Sequence, residues 1–424
     1  MIKIWTKIPF ILLLLLGAKI NLKAQEESEA PAIKLYGFIR NEFYYDSYKG
    51  IDVAMDQFYL LPLYAGQDEN GKDINNQGSA NFSAIASRIG INVSGPEILG
   101  AKSVGNIEVD FYGITKTEPV VLRIRKAFVK LNWKNSSLLT GQTWHPFWGG
   151  ANYPTIAGFN TGAPFQPFNR SPQLNFDYQM GKIVFSATAL YENQYVSRGF
   201  YSSANSNQST LPKRNAAIPE LVISGRYTGK KITIGAAVQH NTIQPIDITT
   251  GTNGQQYITN EMNNSQAVMA YIQYKSGKLK LLAKTVIGQN LANLCMPGGY
   301  GVKSINDNTG AYTYTNYTHC TAFVNGVYGS KNQIGFFAGI GENLGTTDAL
   351  IDASLTAGLL TKIQNMNRLS FNYAYTIKNI KCMVEYERTT AAYGIGDMDL
   401  LNGLYSAQKS VTNNRFMILM MYSF

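Results

Sequence analysis

The connections between the strand-like stretches of this chain alternate between short and long, and that alternation limits the possible folds more than any other feature. Sixteen such stretches lie between residues 33 and 424. Even-numbered stretches are followed by tight turns such as Lys134-Asn135 and Gly229-Lys230. Odd-numbered stretches are followed mostly by long connections, namely 47–81, 147–171, 196–216, 243–261, 293–313, 345–363 and 394–410.

One end of the molecule is therefore expected to carry tight turns and the other end long loops. Transmembrane β-barrels of outer membranes have this asymmetry, with short periplasmic turns and long extracellular loops. An even number of strands puts both termini on the periplasmic side. We predict an all-β chain that forms an antiparallel transmembrane β-barrel of about 16 strands. The predicted strands are 33–46, 82–95, 103–115, 121–133, 136–146, 172–180, 181–195, 217–228, 230–242, 262–275, 278–292, 314–329, 331–344, 364–377, 379–393 and 411–424.

Most of these stretches alternate between apolar and polar residues, as a barrel wall between lipid and water requires. In one of them Leu369, Phe371 and Tyr373 share a face opposite Ser370 and Asn372. Stretch 121–133 is an exception, because Leu122 and Ile124 have the same parity as Lys126 and Lys130. Either a β-bulge or an outward face buried in a subunit contact would explain that mixture.

The last predicted strand ends in Tyr422-Ser423-Phe424, and its alternate residues back to Phe416 are large and apolar. A terminal Phe with a Tyr two residues earlier resembles the signal that the assembly machinery of outer-membrane barrels reads. We therefore assign Tyr422 and Phe424 to an assembly signal that faces lipid at the periplasmic rim. The alternative is an ordinary edge strand of a soluble sheet.

The N-terminus is expected to be a processing segment. Lys3 and Lys7 precede a short apolar run that includes Leu12–Leu16, and Ala24 offers a cleavage site. This pattern predicts a secretory signal peptide at 1–24, a short periplasmic tail at 25–31 and the barrel at 32–424. Loss of 1–24 lowers the formal charge from +10 to +6. No dense basic stripe remains, so we do not expect a nucleic-acid partner.

The sequence does not indicate catalysis or a bound cofactor. The three His residues are scattered, and no spacing of Cys and His suggests a metal site. No G-x-S-x-G motif is present. Cys295 and Cys320 flank one predicted loop, an arrangement that would allow a disulfide across its neck. We expect no catalytic residue, no metal and no cofactor.

A barrel of sixteen strands encloses a lumen too wide for side chains to fill, so we expect an aqueous channel. The polar parity of the first strands predicts a set of charged residues that line it. Opposed basic and acidic groups at a narrow point orient charged solutes. Alternatively these charges only solvate a polar wall or pair with one another. The predicted pore-lining residues are Arg40, Glu42, Arg88, Glu108, Asp110, Arg123 and Arg125.

The stretch 142–172 is the most unusual connection, because it is rich in Pro, Gly and aromatic residues and has almost no charge. A long segment of this composition is poorly suited to open solvent. We consider two interpretations: it folds into the barrel and narrows the lumen, or it packs on the surface against a neighbouring subunit.

Several of these segments resemble the DcaP-like trimeric porins of Gram-negative outer membranes. The resemblance covers about residues 82–172 and is carried by Ser87–Ile91, Gly105–Gly113, Leu122–Phe128 and Leu139–Trp144. It implies a sixteen-stranded, trimeric outer-membrane channel that favours small anionic solutes such as dicarboxylates. Arg88, Arg123 and Arg125 would then be its basic pore-lining residues. Residues 25–31 are too few for the helical coiled coil that typically precedes the barrel in that family.

The leading functional prediction is passive diffusion of small hydrophilic solutes through an outer-membrane pore with mild anion preference. Its expected partners are the lipid bilayer, the barrel assembly machinery, two further copies of the chain and small anionic solutes. A closed or plugged barrel that acts in binding or adhesion is a second possibility, which an occluding 147–171 loop would favour. A barrel enzyme such as a lipase or protease is a third.

Overall fold

The structure, a computed structural model, describes residues 31–51, 57–113, 120–200 and 209–424. The predicted signal peptide and nearly all of the predicted tail lie outside these residues, so their boundaries stay predictions. In chain order the strands are β1 (Ala32–Asp46), β2 (Gly50–Ile51), β3 (Leu61–Pro62), β4 (Ser79–Ser83), β5 (Arg88–Ile98), β6 (Ala101–Tyr112), β7 (Val120–Asn132), β8 (Ser136–Trp144), β9 (Arg170–Met180), β10 (Ile183–Leu190), β11 (Glu220–Thr228), β12 (Ile232–Ile243), β13 (Ile248–Thr250), β14 (Gln256–Ile258), β15 (Asn263–Ser276), β16 (Leu279–Gln289), β17 (Gly298–Ile305), β18 (Tyr312–Gly329), β19 (Asn332–Thr346), β20 (Thr356–Leu359), β21 (Ile363–Ile377), β22 (Ile380–Asp399) and β23 (Leu404–Ser423).

Helical structure in the described residues is confined to short pieces in the long connections. These are the α-helix α1 (Leu211–Ala216) and 3₁₀ turns at Pro146–Trp148 and Leu291–Leu294. None of the described helices is long and apolar enough to cross a membrane.

The antiparallel strands close into one barrel of sixteen positions, as predicted. Successive wall strands pair in chain order, and β23 pairs with β1 to complete the ring. β4 and β5 together occupy one position, because both pair with β1 on its other side. Closure leaves no unpaired wall edge among the described strands, as a sheet inside a bilayer requires.

The alternation of faces read from the sequence is also confirmed. In β21, Leu369 and Phe371 are exposed on the outer surface, whereas Arg368, Ser370 and Asn372 are buried on the inside. Similar exposed apolar residues recur around the outside of the barrel, as a lipid-facing belt requires.

The long connections carry additional strands. β2 pairs with β3, β13 pairs with β14, and β17 pairs with both β18 and β20 at the outer end. The prediction of a long loop at 394–410 was wrong, because β22 and β23 continue as one hairpin to the Asp399–Leu404 pair. The sequence there alternates too weakly to reveal a ladder that only cross-strand pairing stabilises.

Candidate functional site

Residues 145–169, here called the lumen segment, connect β8 to β9 and cross the inside of the barrel. Arg40 Nη2 donates a hydrogen bond to Ala157 O at 2.5 Å, and Ala157 N donates to Glu385 Oε2 at 2.8 Å. Arg368 Nη1 donates to Ala163 O at 2.9 Å. These contacts tie the segment to β1, β22 and β21. Of the two interpretations of this stretch, the structure supports the one in which it enters the lumen.

Two further wall strands hold the start of the lumen segment. Lys284 Nζ on β16 donates to Trp148 O at 2.8 Å, and Thr155 N donates to Asn325 Oδ1 on β18 at 2.9 Å. Both Lys284 and Asn325 are buried. Their polar groups thus form hydrogen bonds with backbone groups of the segment inside the barrel.

Parts of two other long connections also pack inside the barrel. Phe58 stacks edge-on against Phe168 with ring centroids 4.8 Å apart, and Leu60, Leu294 and Met296 join the same buried apolar cluster. Residues of three long connections therefore pack with inward wall residues in one buried apolar cluster inside the barrel.

A cavity of about 850 Å³ lies between the lumen segment and the wall formed by β1, β5 and β7. Its lining includes five basic side chains and no carboxylate. The aromatic residues Trp144, Trp148 and Phe159 of the cavity lining complete an amphipathic surface. The basic residues are Arg40, Arg88, Arg125, Lys126 and Lys381.

The carboxylates of the predicted set lie behind these basic groups. Glu108 is 2.8 Å from Arg125 Nε, 3.1 Å from Lys126 Nζ and 3.8 Å from Arg88 Nε. Arg125 also reaches Asp110 with Nη1 at 2.8 Å. These ion pairs hold each guanidinium in a fixed orientation. The charged groups that face the cavity are therefore the cationic ones.

The rest of the predicted set completes the same wall. Arg123 forms a two-pronged ion pair with Asp110, at 3.0 Å from Nε and 2.9 Å from Nη2. Arg40 Nε donates to Glu42 Oε2 at 2.6 Å. All seven predicted pore-lining residues thus lie on β1, β5, β6 and β7 of one side of the lumen.

A β-bulge explains why the parity of 121–133 is mixed. Glu108 pairs with Lys126, but the next residue, Val109, pairs with Ile124, so Arg125 is the extra residue. The bulge lets two consecutive side chains, Arg125 and Lys126, both contact Glu108. Of the two explanations considered, the structure shows the bulge, a feature that often re-aims side chains beside functional sites.

Sequence reasoning missed several inward basic residues. Lys126 and Lys381 line the cavity, whereas Arg368 and Lys284 hold the lumen segment. Lys381 has the inward parity of Glu385, a signal that could have identified it. Lys126 could not be assigned without the bulge, and the roles of the other two depend on where a distant loop folds.

Arg170, the first residue of β9, is another missed residue. Its side chain is fully buried, with its guanidinium 4.5 Å from the Trp144 ring centroid and 5.3 Å from that of Phe168. Within the described residues none of its three guanidinium nitrogens has a hydrogen-bond partner. The strands β1, β5, β6 and β7, which carry the predicted pore-lining residues, are here called the basic wall. The charge of Arg170 therefore adds to that of the basic wall without a direct counter-ion.

The two residues assigned to the assembly signal lie at the closing seam. Tyr422 pairs with Ile39, and Phe424 exchanges two backbone hydrogen bonds of 3.1 Å with Gly37. Both rings are about half exposed on the outside. A Cβ at Gly37 would clash with Arg88 O and lie 2.8 Å from Phe424 Cζ, so the glycine makes room for both the neighbouring strand and the ring. Their recognition by assembly machinery stays a prediction.

The described residues contain no group of three His, Cys, Asp or Glu side chains that could hold a metal ion. His145 Nε2 lies 2.6 Å from Glu220 Oε1, and Asn293 Nδ2 donates to the other oxygen of that carboxylate at 2.8 Å. Phe147 N donates to His145 Nδ1, so the histidine proton sits on Nε2. All three cysteines are free, so no disulfide closes the loop neck.

Outside the membrane-spanning strands, Glu192 and Asp73 are two of the carboxyl groups that have shifted pKa values. Burial raises the pKa of Glu192, against the opposing effect of hydrogen bonds from Ser197 and Asn241. At Asp73 burial acts in the same direction, but hydrogen bonds from Tyr48 and from two backbone N–H groups outweigh it and lower the pKa. Both carboxylates serve to anchor outer loops.

Comparison with solved structures places this architecture among known channels. The outer membrane channel DcaP of Acinetobacter baumannii superposes with a TM-score of 0.66 at 19% identity, over 93% of this chain and 97% of that one. The chain has the porin fold. An anion-selective porin from Comamonas acidovorans matches with a TM-score of 0.53 at 9% identity, over 93% of this chain and 100% of that one. No family model and no curated protein matches the sequence.

A trimer form of OmpT, an outer membrane protein of Vibrio cholerae, also shares this porin fold, with a TM-score of 0.51 at 10% identity over 93% of this chain and 100% of that one. The resemblance to DcaP-like porins that the segments in 82–172 indicated is therefore confirmed for the fold. The predicted outer-membrane localisation agrees with these neighbours, which include an outer membrane channel and an outer membrane protein.

Proposed function

We propose that this chain is an outer-membrane porin that lets small hydrophilic solutes diffuse passively, with a preference for small anions of the dicarboxylate type. The observation that carries this proposal is the cavity of about 850 Å³, which five basic side chains and no carboxylate line. A dicarboxylate presents two charges that could contact different members of this basic set at once. Such multipoint contact favours it over neutral solutes.

The basic wall keeps a net positive charge, because its carboxylates are fewer than its basic groups. Glu108 and Asp110 each contact at least two basic groups. Three acidic residues in the predicted set face four arginines, and Lys126, Lys381 and Arg170 add further positive charge. The local excess of positive charge attracts anions and repels cations in a lumen where water is restricted.

The test is conductance of the purified protein in a planar bilayer. We expect stepwise currents and, in a salt gradient, a reversal potential that reports anion over cation permeability. Absence of any conductance would reject the channel. Cation preference would reject the assignment of the arginines.

A matched pair of variants assigns the selectivity to the cavity. Arg88→Gln with Lys381→Gln removes two cavity charges, and Glu108 keeps Arg125 and Lys126 as partners. We expect the anion preference to fall severalfold. Lys72→Gln, on an exposed outer loop, is the control and should leave the selectivity unchanged.

A closed barrel that binds or adheres is the second candidate function, and the apolar loop residues packed inside the barrel favour it. Single-channel recording separates the two functions, because a plugged barrel of normal fold conducts no ions. The described residues supply no observation that favours a barrel enzyme.

The partners of this channel follow from the same proposal. We infer a homotrimer in the outer membrane, assembled by the machinery that reads Tyr422 and Phe424. Deletion of Phe424 should reduce the amount of inserted protein without changing the conductance of channels that do insert. Normal insertion of that variant would remove the assembly role.

A further inference from the structure

Each of the seven short turns at the periplasmic end of the barrel lies next to an exposed lysine. These turns occupy 99–100, 133–135, 181–182, 229–231, 277–278, 330–331 and 378–379. The exposed lysines within two residues of a turn, here called the lysine ring, are Lys102, Lys134, Lys182, Lys230, Lys231, Lys275, Lys278, Lys331 and Lys378.

The lysine ring is hardly balanced by acidic groups. Within two residues of the same turns, Glu97 is the only acidic side chain. Across the described part of the chain, no ion pair involves a member of the ring. A rim with this excess of unpaired positive charge attracts an anionic surface.

Aromatic residues place the lysine ring at a defined depth. Trp133, Tyr178, Tyr227, Tyr274, Tyr328 and Tyr375 each precede a member of the ring by four residues or fewer. Tyr178, Tyr227 and Tyr328 are exposed on the outer surface of the barrel. Tyr and Trp rings on the outside of membrane proteins sit at the level of the lipid headgroups. The lysines that follow them are therefore at or just beyond the lipid phosphates.

One contact joins the two features directly. Lys331 Nζ lies 5.1 Å from the centroid of the Tyr375 ring. Tyr375 has the same parity as the exposed Phe371 and Tyr373, so it belongs to the outer face. A lysine of the ring thus extends to the lipid side of the wall, where its ammonium group can meet a phosphate.

We propose that the lysine ring binds the phosphate groups of anionic glycerophospholipids in the periplasmic leaflet. Each lysine near an anionic membrane surface adds to the attraction, and the turns distribute these lysines around the rim. An acidic polymer or protein in the periplasm would also meet the charge, but it would not explain the aromatic residues beside the lysines. The proposal holds whether the lumen conducts or is plugged.

The test compares lipid binding by the full-length protein and two variants with equal numbers of substitutions. The rim variant carries Lys→Gln at 182, 230, 331 and 378. The control variant carries Lys→Gln at 72, 303, 362 and 409, which are exposed lysines at the opposite end. Native mass spectrometry counts phosphatidylglycerol and phosphatidylethanolamine bound to each protein from the same micelles.

We expect the unmodified protein to bind phosphatidylglycerol in severalfold preference to phosphatidylethanolamine, with the preference falling as ionic strength rises. The rim variant should lose most of that severalfold preference, and the control variant should keep it. Equal binding of both lipids to the unmodified protein would overturn the proposal, as would a preference that survives in the rim variant. Displacement of phosphatidylglycerol by soluble peptidoglycan fragments would overturn the choice of lipid as partner. The heat-modifiable mobility of a folded barrel verifies that each variant has folded.

Discussion

Two parts of the barrel wall use arginine in different ways. On the basic wall, formed by β1, β5, β6 and β7, arginines pair with carboxylates and line a cavity. On the part of the wall around β21, which β22 and β23 separate from β1, Arg368 donates to Ala163 O and Leu60 O and lies 3.2 Å from Glu387. This part is here called the anchor wall. The Arg368 guanidinium has no exposed surface.

This difference shows that an inward arginine in a barrel is not by itself a selectivity residue. The role of such an arginine depends on its hydrogen-bond acceptors. An arginine that donates to loop carbonyls anchors the loop, whereas one that pairs with carboxylates of neighbouring strands stays beside the solute path. Arg40 does both, because it pairs with Glu42 and also donates to Ala157 O. Arg40 therefore lines the cavity and also holds the lumen segment in place.

The largest effect is expected from Arg368→Ala on the anchor wall. This change leaves Glu387 buried without its guanidinium partner and frees two loop carbonyls. We expect the free energy of unfolding to fall by about 3–5 kcal/mol. Urea-dependent unfolding in lipid vesicles, followed by tryptophan fluorescence, measures this loss.

The same variant should also alter the channel, because the lumen segment loses the hydrogen bond that Arg368 on β21 donates to Ala163 O. We expect larger and noisier single-channel currents. A variant with normal stability and unchanged currents would contradict the anchoring role. Lys362→Gln, an exposed lysine just before β21, serves as the control for a lost surface charge.

Arg125→Gln on the basic wall should change ion selectivity more than it changes stability. Asp110 keeps its two-pronged pair with Arg123, and Glu108 keeps Lys126, so we expect a loss of only about 2 kcal/mol. Anion over cation permeability should fall severalfold in reversal-potential measurements. If Arg125→Gln destabilised the barrel as much as Arg368→Ala, the distinction between the two walls would fail.

Arg170 fits neither pattern, because in the described residues it has aromatic neighbours and no hydrogen-bond acceptor. Methionine would keep most of its volume and remove a buried, uncompensated charge. We expect Arg170→Met to raise the free energy of unfolding by about 1 kcal/mol. A measured decrease would show that the guanidinium has a stabilising partner, such as a bound anion.

Much of this architecture could be predicted from local sequence. The apolar-polar alternation along stretches such as 364–377, together with the tight turns, predicted the number of strands correctly. Both the face on which a side chain lies and the residues that favour a turn are local properties of the sequence. The seven residues predicted to line a pore followed from parity, and all of them lie on one wall. Their selectivity role is the part that stays a proposal.

Long-range contacts explain what could not be predicted. The lumen segment is placed by pairs such as Arg40 with Ala157, which lie 117 residues apart in the chain. The bulge at Arg125 inserts one residue and reverses the parity after it, so a period-two reading fails there. Arg170 follows a loop and has no alternating neighbours to indicate its direction.

The smallest expected effect lies outside both walls, in the outer loop around Asp73, and it shows what one carboxylate contributes where water is close. Tyr48 Oη donates to Asp73 Oδ2 at 2.6 Å, and Gly66 N and Asn75 N donate to Oδ1 at 3.2 and 3.0 Å. The pKa of Asp73 is lowered, so its contribution to loop stability is present above the ordinary carboxyl pKa and is lost as the pH falls through the lowered value. Tyr48→Phe should move that loss to higher pH. An NMR titration of the Asp73 carboxyl carbon in micelles measures the shift, and an unchanged titration midpoint would show that the two backbone donors alone hold the carboxylate.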